Sequence, residues 1–123
     1  MKAHRVQTQP ARARVRVTWR GEVIADSRRA LELHEGESPT GSVVAPVVYY
    51  LPREDVKMER LVRTTHSTHC PFKGDASYYS LRDGPENAVW SYENPYDAVA
   101  AIRGHLAFYP DKVDAIEAGE AAR

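Results

Sequence analysis

The run Thr68-His69-Cys70-Pro71-Phe72-Lys73-Gly74-Asp75 gathers the groups in this chain best suited to covalent chemistry. Cys70 is the only cysteine, and Lys73 follows it closely. An ammonium near a thiol favours the thiolate, which is the nucleophilic form. Pro71 and Gly74 predict an irregular loop, and loops at the end of a sheet present side chains to ligands. Cys70 and Lys73 are therefore candidate catalytic residues. The competing reading is a packed, inert thiol beside a solvated lysine, because free cysteine is among the most buried residue types. Both readings stand at the level of sequence.

Histidine adds a second chemistry to weigh. His66, His69 and Cys70 place three metal-ligand types within five residues, and His34 and His105 could join from other strands. A single cysteine excludes a closed four-thiolate zinc site, and no second dedicated cluster accompanies the first. No metal and no cofactor is expected. Glu54-Asp55 after Pro52 could supply a general base, although turn acids mostly bond to backbone amides.

The aromatic residues are weighted toward tyrosine, with seven tyrosines against two tryptophans and two phenylalanines. Tyrosine couples an apolar ring to a polar tip, so Tyr50, Tyr78, Tyr79, Trp90, Tyr92 and Tyr109 could line a ligand pocket. They could equally form the core and its edge. In a strand, successive side chains point to opposite faces, so only one of Tyr78 and Tyr79 faces inward on a half-buried sheet.

Short strands must position these groups. Ala13, Val15, Val17 and Trp19 alternate with Arg14, Arg16, Thr18 and Arg20, the period of a half-buried strand. Arg20-Gly21 predicts a tight reversal into a second strand over Glu22–Ala25. Further strands are expected at Ala30–His34, at Val43–Leu51 with an interruption at Pro46, at Val56–Leu61, at Ala76–Leu81 and at Ala88–Tyr92. Glu35–Ser42 and Arg63–Asp75 read as loops, and Arg82-Asp83-Gly84-Pro85 reads as a turn. One short α-helix is expected near the C-terminus, over Pro95–Arg103. Asn94 would cap it, Pro95 would open it, and Gly104 would stop it. A strand over His105–Tyr109 and a last short element ending near Glu117 complete the series. The fold class is mainly β: a small antiparallel domain over residues 13–118, with a flexible basic arm at 1–12 and a tail at 119–123.

Composition narrows the function classes. A chain of 123 residues with 42% hydrophobic residues can bury one core without cross-links. Seventeen basic and seventeen acidic residues balance to zero net charge. A neutral chain lacks the phosphate contacts that dominate nucleic-acid affinity, so no nucleic-acid partner is expected. The basic residues Lys2, Arg5, Arg12, Arg14, Arg16, Arg20, Arg28 and Arg29 do crowd the start, which reads as a solvated strand face. No apolar run approaches the roughly 18 residues that cross a bilayer, so no membrane partner is expected. The absence of an apolar leader and the lone cysteine point to a cytoplasmic protein.

Several spaced blocks resemble the bacterial and fungal domain-of-unknown-function family 427. Cys70-Pro71-Phe72-Lys73-Gly74 with Ala76, Tyr78 and Ser80 is similar to its central signature. Tyr49-Tyr50-Leu51-Pro52-Arg53-Glu54-Asp55-Val56 resembles its upstream block; Ala88-Val89-Trp90-Ser91-Tyr92 through Pro95, and Phe108-Tyr109-Pro110, resemble its downstream blocks. The resemblance as a whole covers roughly residues 14–117. The resemblance implies a β-tent fold like that of methionine sulfoxide reductase B and the yippee proteins. It also adds Asp55 to the candidate catalytic residues. The paired Cys-x-x-Cys zinc ligands of some β-tent relatives do not occur here. The label nucleotidyltransferase, given to some family members, finds no support in a Gly-rich phosphate loop or in paired carboxylates beside a Gly-Ser motif.

The expectation is a domain that binds an unknown small molecule, with the Cys-Pro-x-Lys-Gly loop beside a Tyr- and Trp-lined pocket and with catalysis open. The alternative is a non-enzymatic module that holds a peptide or protein in the same cleft. Self-association as a homodimer also stays open.

Overall fold

A computed structural model of the chain describes residues 3–38 and 46–119. Among the described residues ten strands form three antiparallel sheets: β1 (Ala3–Pro10), β2 (Val15–Trp19), β3 (Glu22–Ser27), β4 (Leu31–Ser38), β5 (Val48–Tyr50), β6 (Leu61–Cys70), β7 (Gly74–Leu81), β8 (Val89–Tyr92), β9 (Ala107–Phe108) and β10 (Ala115–Ala118). The sheet orders are β1-β4-β5, β10-β2-β3 and β6-β7-β8-β9.

The strand alternation at the start of the domain has its expected cause. Val15 and Val17 are fully buried while Arg16 between them is exposed. Arg20 and Gly21 both take positive φ, as a two-residue hairpin turn requires, and join Trp19 to Glu22. The non-glycine residue is held in that conformation by its own guanidinium, which lies 4.4 Å over the Trp19 ring and donates to the Asp83 carbonyl. Asp83 also has positive φ in the predicted turn after β7.

The four-stranded sheet is covered on both faces. Tyr79, Leu81, Val89 and Phe108 pack in one cluster with Val15, Val17 and Ile24 from the β10-β2-β3 sheet. Ala76, Tyr78, Tyr92 and Ala107 pack in a second cluster with Leu33 of β4, Tyr50 of β5, and Val99 and Ile102. Tyr78 and Tyr79 are thus both buried, on opposite sides of one sheet. The rule that one of the pair faces outward fails because this sheet has no solvent-facing side at β7.

Five expectations change. The segment 1–12, read as a loose arm, contains β1, which pairs with β4 along its whole length. Val6 is the only large apolar residue in β1, so its partner rather than its own pattern makes it a strand. The segment read as the loop Glu35–Ser42 is strand through Ser38; its remainder, and the first residues of the expected strand Val43–Leu51, lie outside the described residues. The expected loop Arg63–Asp75 is instead most of the β6–β7 hairpin, with only Pro71, Phe72 and Lys73 in the turn. β6 ends its sheet and is exposed along most of its length, so Thr, Ser and His occupy it without apolar alternation. Val56–Leu61 is no strand: Val56 makes one bridge to Ala25, and Met58–Arg60 forms a 3₁₀ turn.

The fifth change concerns the helix. There is no α-helix among the described residues, and Asp97–Ile102 is a kinked 3₁₀ segment, with Val99 at φ −126°, ψ 30°. Val99 and Ile102 are both fully buried, and residues three apart stack on one face of a 3₁₀ turn. Asn94 does not cap it; its side-chain oxygen accepts from Arg103 instead. Gly104, expected to stop the helix, has φ +71° and ties back to β8 instead, its N–H donating to the Tyr92 carbonyl.

Candidate functional site

The β6–β7 pairing slips between Arg63 and Ser67. Arg63 faces Tyr79 and Ser67 faces Ser77, so Thr64, Thr65 and His66 bulge opposite Tyr78 alone. Bulges re-aim side chains and recur beside functional sites. Thr64 staples this one: its hydroxyl donates to Asn87 Oδ1 at 2.7 Å and accepts from the His66 N–H at 3.2 Å. The His66 ring consequently lies 4.5 Å from the Tyr78 ring. Asn87 takes φ +51°, a conformation asparagine tolerates.

His66, Tyr78, Glu86, Asn87, Tyr109, Asp111 and Lys112 enclose an open groove of about 430 Å³. Tyr78 and Tyr109 form its floor and belong equally to the second core cluster. The Tyr78 hydroxyl meets Thr68 Oγ1 at 2.9 Å. Burial, then the neighbouring Tyr78 hydroxyl, pushes the Tyr109 hydroxyl up to about 12.

Behind the floor the aromatic residues continue inward. The Tyr109 ring lies 4.5 Å from Trp90, whose indole N–H donates to the Tyr50 hydroxyl at 3.1 Å. Tyr50 stands against Tyr92, with ring centroids 6.4 Å apart. Burial raises the Tyr50 and Tyr92 hydroxyls well above the ordinary tyrosine value, and the neighbouring charges of Glu35 and Cys70 add to this. For Tyr50 the Trp90 hydrogen bond acts in the opposite sense.

Lys73 and Cys70 sit at the far end of this cluster. Lys73 is 8% exposed, and its ammonium donates to Glu35 Oε1 of β4 at 2.8 Å. Lys73, expected as a candidate catalytic residue in a loop, is instead engaged in a part-buried ion pair between the hairpin turn and the facing sheet. Cys70 is partly buried and packs against the cluster. Neither residue lines the groove. Gly74 closes the turn at φ +110°, a backbone conformation that L side chains rarely adopt.

The structure therefore gathers Tyr50, Cys70, Lys73, Tyr78, Trp90, Tyr92 and Tyr109 and separates two other candidates from them. Tyr79 lies on the opposite face, accepting from Arg53 Nη1 at 3.1 Å. Asp55 accepts from Ser27 Oγ at 2.7 Å and from the Arg29 guanidinium at 3.1 Å, side-chain partners rather than the backbone amides expected of a turn acid. It borders a smaller hollow, of about 280 Å³, with Val23, Ile24, Ala25, Asp26 and Lys57. His69 pairs with Asp75 at 2.7 Å, away from His66. Among the described residues no group of three or more His, Cys, Asp or Glu side chains is gathered for a metal ion. No helix among them is long and apolar enough to cross a membrane. Glu86, Asn87, Asp111 and Lys112 carry no sequence signal of their own; only the positive φ of Asn87 and the bulge bring them to His66.

Fold and groove together define a small, mainly β antiparallel domain with a tyrosine-floored cleft. The chain belongs to the family described as a domain of unknown function (DUF427), whose model matches residues 7–119. No curated protein matches the chain.

Proposed function

We propose that this domain binds a small molecule in the groove opened by the β6 bulge. The observation that carries this reading is the lining: Tyr78 and Tyr109 lie side by side in the groove, and His66, Glu86, Asn87, Asp111 and Lys112 converge on the same space. A volume of about 430 Å³ suits a small ligand, and a few polar groups on an aromatic base are the usual make-up of such sites. Trp90, Tyr50 and Tyr92 support the floor from behind. Cys70 serves as a packed neighbour in this reading, and Lys73 holds the hairpin turn against β4 through Glu35. The β-tent arrangement belongs to the same reading, with the β6–β9 sheet as the wall shared by the two core clusters.

Strand addition of a peptide, or of a second copy, at the outer edge of β6 is the rival use. The bulge at Thr64–His66 weighs against it, because it breaks the regular row of backbone groups that an added strand needs. Native mass spectrometry of the protein against a chemically diverse panel tests the proposal. Binding of at least one compound by the wild type, weakened in Tyr109→Ala, is expected. Binding that is indifferent to Tyr109 would refute it.

A further inference from the structure

The groove's unused hydrogen-bonding capacity narrows the ligand class. Asn87 Oδ1 is engaged by Thr64, which leaves the amide NH₂ as a donor facing outward. Lys112 spends one N–H on the Glu86 carbonyl oxygen and keeps two. The Glu86 and Asp111 carboxylates have no hydrogen-bond partner among the described residues, and neither do the His66 ring nitrogens. The lining thus offers strong acceptors and strong donors side by side, over the rings of His66, Tyr78 and Tyr109.

Charge excludes two classes. An anion would face two carboxylates against one ammonium. An organic cation would compete with Lys112, whose ammonium already lies 5.7 Å over the Tyr109 ring. A wholly apolar molecule would strip water from Glu86, Asn87 and Asp111 and return no hydrogen bonds, which is costly. What satisfies all the groups is a neutral molecule with one apolar face and many hydroxyls, each able to donate and accept.

Resting on the binding function proposed above, we infer that the ligand is a neutral saccharide. Its C–H face packs against His66 and, with the Lys112 ammonium drawn from the ring onto a sugar hydroxyl, against Tyr109. Its vicinal hydroxyls bridge Asp111 and Glu86 to the Asn87 amide and Lys112. The groove is open on one side, so a chain end fits as well as a free sugar.

Titration followed by heteronuclear NMR tests this. The probes are a set of neutral mono- and disaccharides, together with a uronic acid, choline and inorganic phosphate. Saturable shifts with at least one neutral sugar and none with the charged probes are expected. Tyr109→Ala and Asn87→Gly, which keeps the positive φ, should each weaken binding about tenfold, the loss of one stacked ring or one good hydrogen bond. Asp111→Asn, at an exposed site, serves where Tyr109→Ala fails to fold. Binding of choline or phosphate at the groove without any neutral sugar would overturn the saccharide and leave the binding function standing. No binding by any probe, repeated with the broader panel, would remove both.

Discussion

At Lys73 a residue type chosen for its reactivity turns out to hold two sheets together. Its ammonium meets Glu35 with only 10% of the side chain exposed. Lys73→Met keeps the aliphatic bulk and removes one charged partner, which should cost about 1.5–3 kcal/mol. Urea denaturation measures this, and an unchanged midpoint would mean the pair contributes nothing. Ser91 gives the opposite case. Its hydroxyl is buried in β8 without a hydrogen-bond partner among the described residues. Ser91→Ala removes a polar group that gains nothing from burial, so stability should hold or rise by about 1 kcal/mol. A loss of more than that would reveal a bond the hydroxyl makes. Neither outcome was legible in the sequence. Whether a lysine is solvated or paired depends on a strand about forty positions away in the chain, and spacing carries no trace of it.

At the scale of elements, the bulge and the turns build the groove. Thr64→Val keeps the β-branched shape and removes the hydroxyl that ties His66 N–H to Asn87 Oδ1. About 1 kcal/mol of stability should go with it, and the His66 ring should leave the Tyr78 face. The ring-current shift of the His66 side-chain protons reports the second effect; shifts identical to wild type would contradict the staple. Gly84 is equally constrained, since a Cβ there would run into the Trp19 ring. Elements with alternating apolar residues, such as β2 and β7, could be read directly, because the period of two records which face is buried. Arg20-Gly21 could also be read, because the turn type demands positive φ. β1 and β6 could not. Both are polar strands at sheet edges, held by pairing that leaves no mark on their own composition. The segment Asp97–Ile102 misled for a different reason: Val99 and Ile102 three apart suit an α-helix and a 3₁₀ turn alike, and only packing against the second cluster decides.

For the whole molecule, the tyrosine-rich second cluster sets the response to alkali. Burial raises the hydroxyls of Tyr50, Tyr92 and Tyr109 above the ordinary value of about 10. The unfolded chain therefore loses these protons first. The stabilisation is fully present below pH of about 10 and is lost as pH rises through the folded values. Phenolate absorbance against pH should show these residues ionising late and together with loss of structure. All seven tyrosines titrating near pH 10 with the fold intact would contradict the burial. The separation of Tyr79 from Tyr78, and of Asp55 from the cluster, also belongs to this scale, because it follows from a sheet covered on both sides. The central claim is that ligands enter at the bulge groove rather than at the Cys70–Lys73 turn. Its most direct test is an NMR shift map with any bound small molecule. Perturbations centred on His66, Asn87, Tyr109 and Lys112 are the predicted result; perturbations centred on Cys70, Phe72 and Lys73, with the groove unmoved, would contradict it.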